Sequence, residues 1–463
     1  MTGPRGADRV SDRSAGYKAD PLVELDRLYA SVEARIPTLV NPDYETLVVP
    51  NGSAAEGVQR WFRFKEAFSR RLLTRVVKDA GLGDRSELDI VDPFAGSGTT
   101  AVSAADLMRE GSLRRARVVG YECNPFLHLV AATKLSALQR PSQTFLPLAK
   151  KVAAAAARDK VDAPAIPALA AFQNRDYFAE ADLRRLLQLR EAIDRAAAAG
   201  ADQLDVSLTR VCLGASVEPV SSLRRDGRAL RYEPTKDRAS PIGEFLRRAE
   251  WMAEDMPRRP AGVKGRIILG DGRTLKPGAV RQGSVDLVVF SPPYPNNIDY
   301  TEVYKLETWL LGFIADAESF AGQRLRTVYS HPSLLRSEDG AEGVTRTELV
   351  DAIVRAVPDD RYSRGRRAMI AGYARDMART LESAFDVLRP GAQLVYVVGN
   401  SAHGTGPTAF VIAADLLLAD LATRAGFDVE RIEVARSLRR RQPVESRLLR
   451  ESVVFARRPS NHD

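Results

Sequence analysis

Cysteine is nearly absent. Cys123 and Cys212, alone among 463 residues, exclude a disulfide framework and a cysteine-rich zinc site, and they fit a reducing cytoplasm. Histidine is almost as scarce. His128, His331, His403 and His462 are scattered without metal-ligand spacing, so no metal is expected and none is read as catalytic. No apolar run reaches about 18 residues, which excludes a membrane-spanning helix. The first residues are polar and lack the apolar stretch of a secretory signal; 1–20 is expected to be a disordered tail.

Apolar residues nevertheless make up 44% of the chain, enough for a sizeable core. The length suggests roughly two or three domains, or one domain with large insertions. Lys and Arg number 68 against 60 Asp and Glu, a net charge of +8 that points mildly to a polyanionic partner.

Along the chain, 21–80 reads as a mostly helical N-terminal segment, with Trp61 and Phe62 as core. The apolar run Leu88–Val91 ends at Asp92-Pro93. A Gly-rich turn, Phe94 to Thr100, leads into a small-residue helix from Ala101. A second strand, Arg117–Tyr121, stops at Glu122, and a helix follows Pro125. This is the rhythm of a parallel α/β sheet. It breaks over 141–261, a mainly helical insertion, and resumes at Arg266–Leu269, ending in Asp271, and at Val285–Phe290, ending in Ser291. A helix is expected over about 301–312, an irregular insertion or lid over 314–365, and a long helix over about 366–387. The strand Gln393–Val398, a helix near 408–425, and the strands Val429–Val434 and Ser452–Phe455 complete a seven-stranded sheet. With no helix between them, the last two strands are expected to form an antiparallel hairpin. The sheet domain is thus assembled from 81–140, 262–313 and 366–459.

Gly96-Ser97-Gly98, between a strand and a helix, lets backbone approach a ligand while helix N–H groups point at it. A phosphate loop would need Lys after the last Gly, and here Thr99 stands there. A dinucleotide fingerprint is met formally by Gly96, Gly98 and Ala101, with Glu122 further on. Asp92, ending the strand, would repel a pyrophosphate and favour a cationic ligand. S-adenosylmethionine, with its ammonium and sulfonium, satisfies that charge; Glu122 would then accept from ribose hydroxyls and Asp271 from the adenine amine. A turn without a ligand is the remaining reading, and carboxylates at successive strand ends count against it.

Ser291-Pro292-Pro293-Tyr294 ends the fourth strand. Two prolines fix the backbone and remove its donors, leaving acceptors only. That suits a substrate N–H, such as the exocyclic amine of cytosine or adenine. Ser291 Oγ and the Pro292 carbonyl would hold the amine out of the ring plane, localising its lone pair for in-line methyl transfer. Tyr294 would stack on the base, a contact worth about 1–3 kcal/mol. In a duplex the base must first be flipped out. The alternative for this tetrapeptide is a Pro-rich loop with a surface tyrosine.

Asp92 to Thr100 together with Ser291 to Tyr294 resembles the S-adenosylmethionine-dependent amino-methyltransferases of DNA, which modify cytosine N4 or adenine N6. The resemblance implies a Rossmann-like seven-stranded methyltransferase sheet with a terminal antiparallel hairpin and helical insertions. It assigns Asp92, Phe94, Gly96, Gly98 and Thr99 to methionine binding, Glu122 to ribose, Asp271 to adenine, and Ser291, Pro292, Pro293 and Tyr294 to catalysis. Phe64 and Lys65, near Phe68 and Ser69, resemble the family's additional cofactor-side motif. With the cofactor motif before the catalytic one, 141–261 falls where such enzymes read their target. Serine as the first catalytic-motif residue tilts the reading to cytosine N4 over adenine N6. Methylation at cytosine carbon 5 needs a Pro-Cys nucleophile, which neither cysteine provides. Methylation of an RNA base, or an inactive nucleic-acid-binding module, are the other readings. The implied partner is double-stranded DNA, in restriction–modification or another defence system. Nothing resembles a nuclease motif set, so a cutting subunit would be a separate chain.

Two basic clusters are candidates for phosphate contacts, or for solvated surface. Arg439, Arg440 and Arg441 fall in the expected hairpin loop, and Arg224 and Arg225, with Arg228 and Arg231, lie in the insertion. Asn297, Asp299 and Tyr300, after the catalytic motif, either shape a base pocket or cap the next helix.

Overall fold

The computed structural model describes residues 20–50, 56–158, 162–163, 177–225, 230–275, 279–296, 298–334, 347–404, 406–438 and 446–460. The expected tail (apart from Asp20), Asn297 and the triplet Arg439, Arg440 and Arg441 lie outside them. The described strands are β1 (Thr38–Val40), β2 (Glu87–Asp92), β3 (Arg115–Glu122), β4 (Leu223–Arg225), β5 (Leu230–Tyr232), β6 (Lys264–Leu269), β7 (Val285–Phe290), β8 (Leu388–Gly399), β9 (Ser401–His403), β10 (Phe410–Ile412), β11 (Asp428–Ser437) and β12 (Arg450–Arg457).

Eight of them form one sheet, in the order β1-β11-β12-β8-β7-β2-β3-β6. All neighbours pair in parallel except across β12, which runs antiparallel to both β11 and β8. Seven are the strands read from the sequence, including the terminal hairpin. The eighth, β1, corrects the expectation of a mostly helical 21–80. The helix Pro21–Glu33 ends ahead of Pro37, since a residue before proline disfavours helical backbone. Thr38–Val40 then adds to the sheet edge, where Ile432 N donates to the Pro37 carbonyl at 2.8 Å.

The sheet is buried on both faces, as parallel sheets require. Along β2, Leu88 and Ile90 join one core and Val91 the other; along β7, Leu287 and Val289 alternate with Val288 and Phe290 in the same way. The 141–261 segment contributes helices Phe145–Ala157, Glu180–Ala198, Gln203–Val220 and Pro241–Glu254, plus the small β4–β5 hairpin. Gln203–Val220 packs on Pro125–Gln139, the other three pack on it and on one another, and together they continue the first core without a break. Within 314–365, expected to be an irregular insertion or lid, the described residues carry helices Ala317–Arg326 and Glu348–Arg355. The parallel strands present their C-terminal ends along one edge. Asp92, Glu122, Asp271 and Ser291 therefore converge there, the usual ligand side of such a sheet.

Candidate active site

A cavity of about 260 Å³ opens at that edge. Its walls hold Phe64, Lys65, Phe94, Gly96, Glu122, Asp271, Ser291, Pro292, Pro293 and Tyr294. Ten residues singled out from five separate stretches of sequence thus share one chamber.

The Gly-rich turn forms its floor. Gly96 adopts a left-handed backbone, and a Cβ there would sit 2.8 Å from the Phe64 ring, so the N-terminal segment lies directly on the turn. Gly96 N donates to Glu122 Oε2 at 2.9 Å and Asn124 N donates to Oε1 at 2.7 Å. Burial pushes the Glu122 carboxyl up to about 7, against the pull of those two N–H groups. Asp271 accepts from Arg273 Nε at 2.9 Å and Nη2 at 2.7 Å; Arg273 reaches on to the fully buried Asp376 at 2.9 Å.

Three of the expected cofactor residues stand behind the wall. Asp92 is buried, accepting from Phe94 N at 3.0 Å and from Thr100 Oγ1 at 2.5 Å. Burial raises it to about 6. Both its oxygens are thus engaged within the turn, and it does not line the cavity. Thr99 accepts from Gln59 Nε2 at 2.9 Å, and Gly98 packs on Ala131.

At the other wall, Ser291 Oγ donates to Tyr294 Oη at 3.2 Å, and Tyr294 Oη donates to Glu451 Oε1 at 2.9 Å. Arg436 Nε donates to Glu451 Oε2 at 2.6 Å. Glu451 and Arg436 belong to β12 and β11, so the terminal hairpin reaches the Ser291–Tyr294 tetrapeptide. The Tyr294 ring lies where a Cβ on Gly399 would come within 2.7 Å. Burial and the neighbouring Glu451 carboxylate hold its hydroxyl far above the ordinary phenol range. Tyr300 also lines the cavity, whereas Asp299 caps its helix and pairs with Arg324.

The arginines of the insertion divide. Arg225 is 3% exposed, bonded to Glu307 and, at 2.9 Å, to Glu218, with its guanidinium 4.7 Å from the Tyr304 ring centroid. It is internal scaffolding, which corrects its place among phosphate contacts. Arg224 is exposed and pairs with Glu233 at 2.8 Å. Both line a second cavity, with Arg63, Lys236, Arg248 and Trp251, that shares Pro50 and Lys65 with the first. Lys65 Nζ donates to the Arg225 carbonyl between the two. Among the described residues no group of His, Cys, Asp or Glu is placed to hold a metal, and no helix is long and apolar enough to cross a membrane.

No family model matches the chain. Type II methyltransferase M.AvaI of Nostoc sp. is 24% identical over 426 residues, covering 81% of this chain and 80% of its own. Type II methyltransferase M.BsoBI of Geobacillus stearothermophilus is 22% identical over 437 residues, covering 82% and 81%. The chain is similar in sequence to these type II methyltransferases. Among solved structures, the rRNA methyltransferase aviRa of Streptomyces viridochromogenes aligns over 84% of this chain and 85% of its own at 12% identity, with a TM-score of 0.28. The sheet order above, rather than that overlap, defines the architecture.

Sequence reasoning missed Glu451, Arg436, Arg273 and Glu66. Glu66 lines the cavity, accepts from Tyr304 Oη at 2.6 Å through Oε2, and has no partner for its buried Oε1. Burial raises its pKa. The available signal was charge beside apolar sequence: Glu451 stands just ahead of the apolar run Val453–Ala456, and Glu66 sits between Phe64 and Phe68.

Proposed function

We propose that the chain transfers a methyl group from S-adenosylmethionine to an exocyclic amine of a DNA base, cytosine N4 in the first instance. The observation that carries this reading is the shared cavity: the Gly-rich turn, two strand-end carboxylates and Ser291 to Tyr294 face one space. The cavity fits the cofactor's chemistry. Glu122 suits ribose hydroxyls and Asp271 an adenine amine. Asp92 is enclosed, so the carboxylate oxygen left for the cationic methionine end is Glu66 Oε1, buried and unpartnered.

Bound S-adenosylmethionine supplies an electrophilic methyl. The protein's part is to hold the amine. Ser291 Oγ and the Pro292 carbonyl accept its two N–H groups, the nitrogen lone pair turns toward the methyl, and the Tyr294 ring supports the base. Transfer would break the cofactor's carbon–sulfur bond as the carbon–nitrogen bond forms, and the amine's surplus proton would pass to solvent. Residues 141–261 are the proposed target-reading part. Arg224 from that part, and exposed Arg63 from the N-terminal segment, provide phosphate contacts beside the second cavity. A restriction or other defence subunit would be a separate chain.

Labelled S-adenosylmethionine with mixed-sequence duplex DNA, followed by nucleoside mass spectrometry, tests this. N4-methylcytosine supports it, and N6-methyladenine moves the base while keeping the chemistry. Cofactor binding without any labelled deoxynucleoside would sink it. Ser291→Ala is expected to abolish transfer while leaving cofactor binding intact.

A further inference from the structure

The catalytic serine does not stand alone. It begins a chain of hydrogen bonds that runs from Ser291 through Tyr294 to Glu451 and ends on Arg436. We propose that Glu451 is a positioning residue that fixes the polarity of this chain, so that Ser291 offers lone pairs, and no proton, to the substrate amine. The inference rests on the reading above and extends it to a residue distant in sequence.

The polarity follows from donor and acceptor counting. The Arg436 guanidinium can only donate, and it takes Glu451 Oε2 at 2.6 Å. A carboxylate so paired can only accept, so Tyr294 must spend its single proton on Oε1. Tyr294 Oη is then an acceptor toward Ser291, and Ser291 must spend its own proton there. What Ser291 Oγ has left is acceptor capacity. A hydroxyl free to rotate would sample orientations that point its proton at the incoming amine, a donor facing a donor. Glu451 is 6% exposed at its side chain, so water does not compete for its oxygens.

Glu451→Gln keeps size and shape yet should reverse this polarity. Arg436 still needs an acceptor and claims the amide oxygen. The amide nitrogen then faces Tyr294 and donates to it. Tyr294 in turn donates to Ser291, and the Ser291 proton is driven toward the substrate. The conservative variant should therefore be worse than Tyr294→Phe, which only frees the serine to rotate. Converting Arg436 to Met in the Glu451→Gln background lets the amide turn over and accept from Tyr294 again, so activity should return in part.

The experiment is single-turnover methyl transfer from labelled S-adenosylmethionine to mixed-sequence duplex DNA by the full chain, with cofactor affinity and thermal melting measured on each variant. Glu451→Gln is expected to lose about 10–100-fold in the transfer rate at unchanged cofactor affinity and melting temperature. The double variant Glu451→Gln, Arg436→Met should recover about tenfold of that. An unchanged rate in Glu451→Gln, or no recovery in the double variant, overturns the proposal while leaving the methyltransferase reading standing. No transfer by the unaltered chain overturns the reading itself. Should Glu451→Gln melt early, Tyr294→Phe alone decides: a rate equal to that of the unaltered chain overturns the proposal.

Discussion

Lys134 is fully buried on the helix Pro125–Gln139, and its closest polar contact is the Gln59 carbonyl at 3.5 Å. Burial lowers its pKa from 10.5 to about 7. Between those values the unfolded chain holds a proton that the folded chain has lost, so stability rises as pH rises through that window. Below about pH 7 the cost of a charged, enclosed ammonium is felt in full. Lys134→Met should raise stability by roughly 1–3 kcal/mol at pH 7 and below, and the gain should shrink toward pH 10. Denaturant melts across that range check it; a gain independent of pH would refute the burial argument. The two adjacent arginines make a second contrast. Arg225→Ala leaves Glu307 buried without its cation and should cost about 3–5 kcal/mol in folding. Arg224→Ala should leave the melt within about 0.5 kcal/mol and weaken DNA binding, measured by anisotropy at fixed salt.

Elements, more than single groups, set the cofactor side. Gly96→Ala would force a side chain into both a left-handed backbone and the Phe64 ring, separating the N-terminal segment from the turn. Cofactor affinity should fall at least tenfold, read by titration calorimetry, with β2 and β3 otherwise intact. Glu122 at the end of β3 adds a pH signature. Its pKa near 7 means the accepting carboxylate is lost on acidification, so affinity should fall by about tenfold per pH unit below 7. Glu122→Gln should flatten that dependence. Much of this was legible in the sequence, because each strand's end is marked by an acidic residue or a rigid tetrapeptide and each buried strand by its apolar run. β1 was not, being three residues beside a proline with no apolar alternation of its own. Asp92 was misread because sequence shows that a carboxylate is present, not which way it turns; the structure turns it inward to Thr100. Glu451 was invisible as a partner of Tyr294, since 157 residues separate them and only the sheet order brings them together.

At the scale of the whole molecule, the insertion is part of the body. Phe126 packs edge-on against Phe62 at 4.8 Å between centroids, beneath the helices of 141–261. Replacing 141–261 by a short linker should expose that apolar helix face and give an insoluble chain, not a trimmed enzyme that still binds cofactor. Soluble yield and circular dichroism would show it, and a soluble, cofactor-binding product would contradict the continuous core. The sheet order carries one more consequence. β12, after every other described strand in sequence, lies inside the sheet between β11 and β8 and brings Glu451 to Tyr294. A chain emerging from the ribosome therefore carries a gap through the middle of its sheet until residues 450–457 are free. Until then β11 and β8 have no strand to join them, and Tyr294 waits for the carboxylate that orients it.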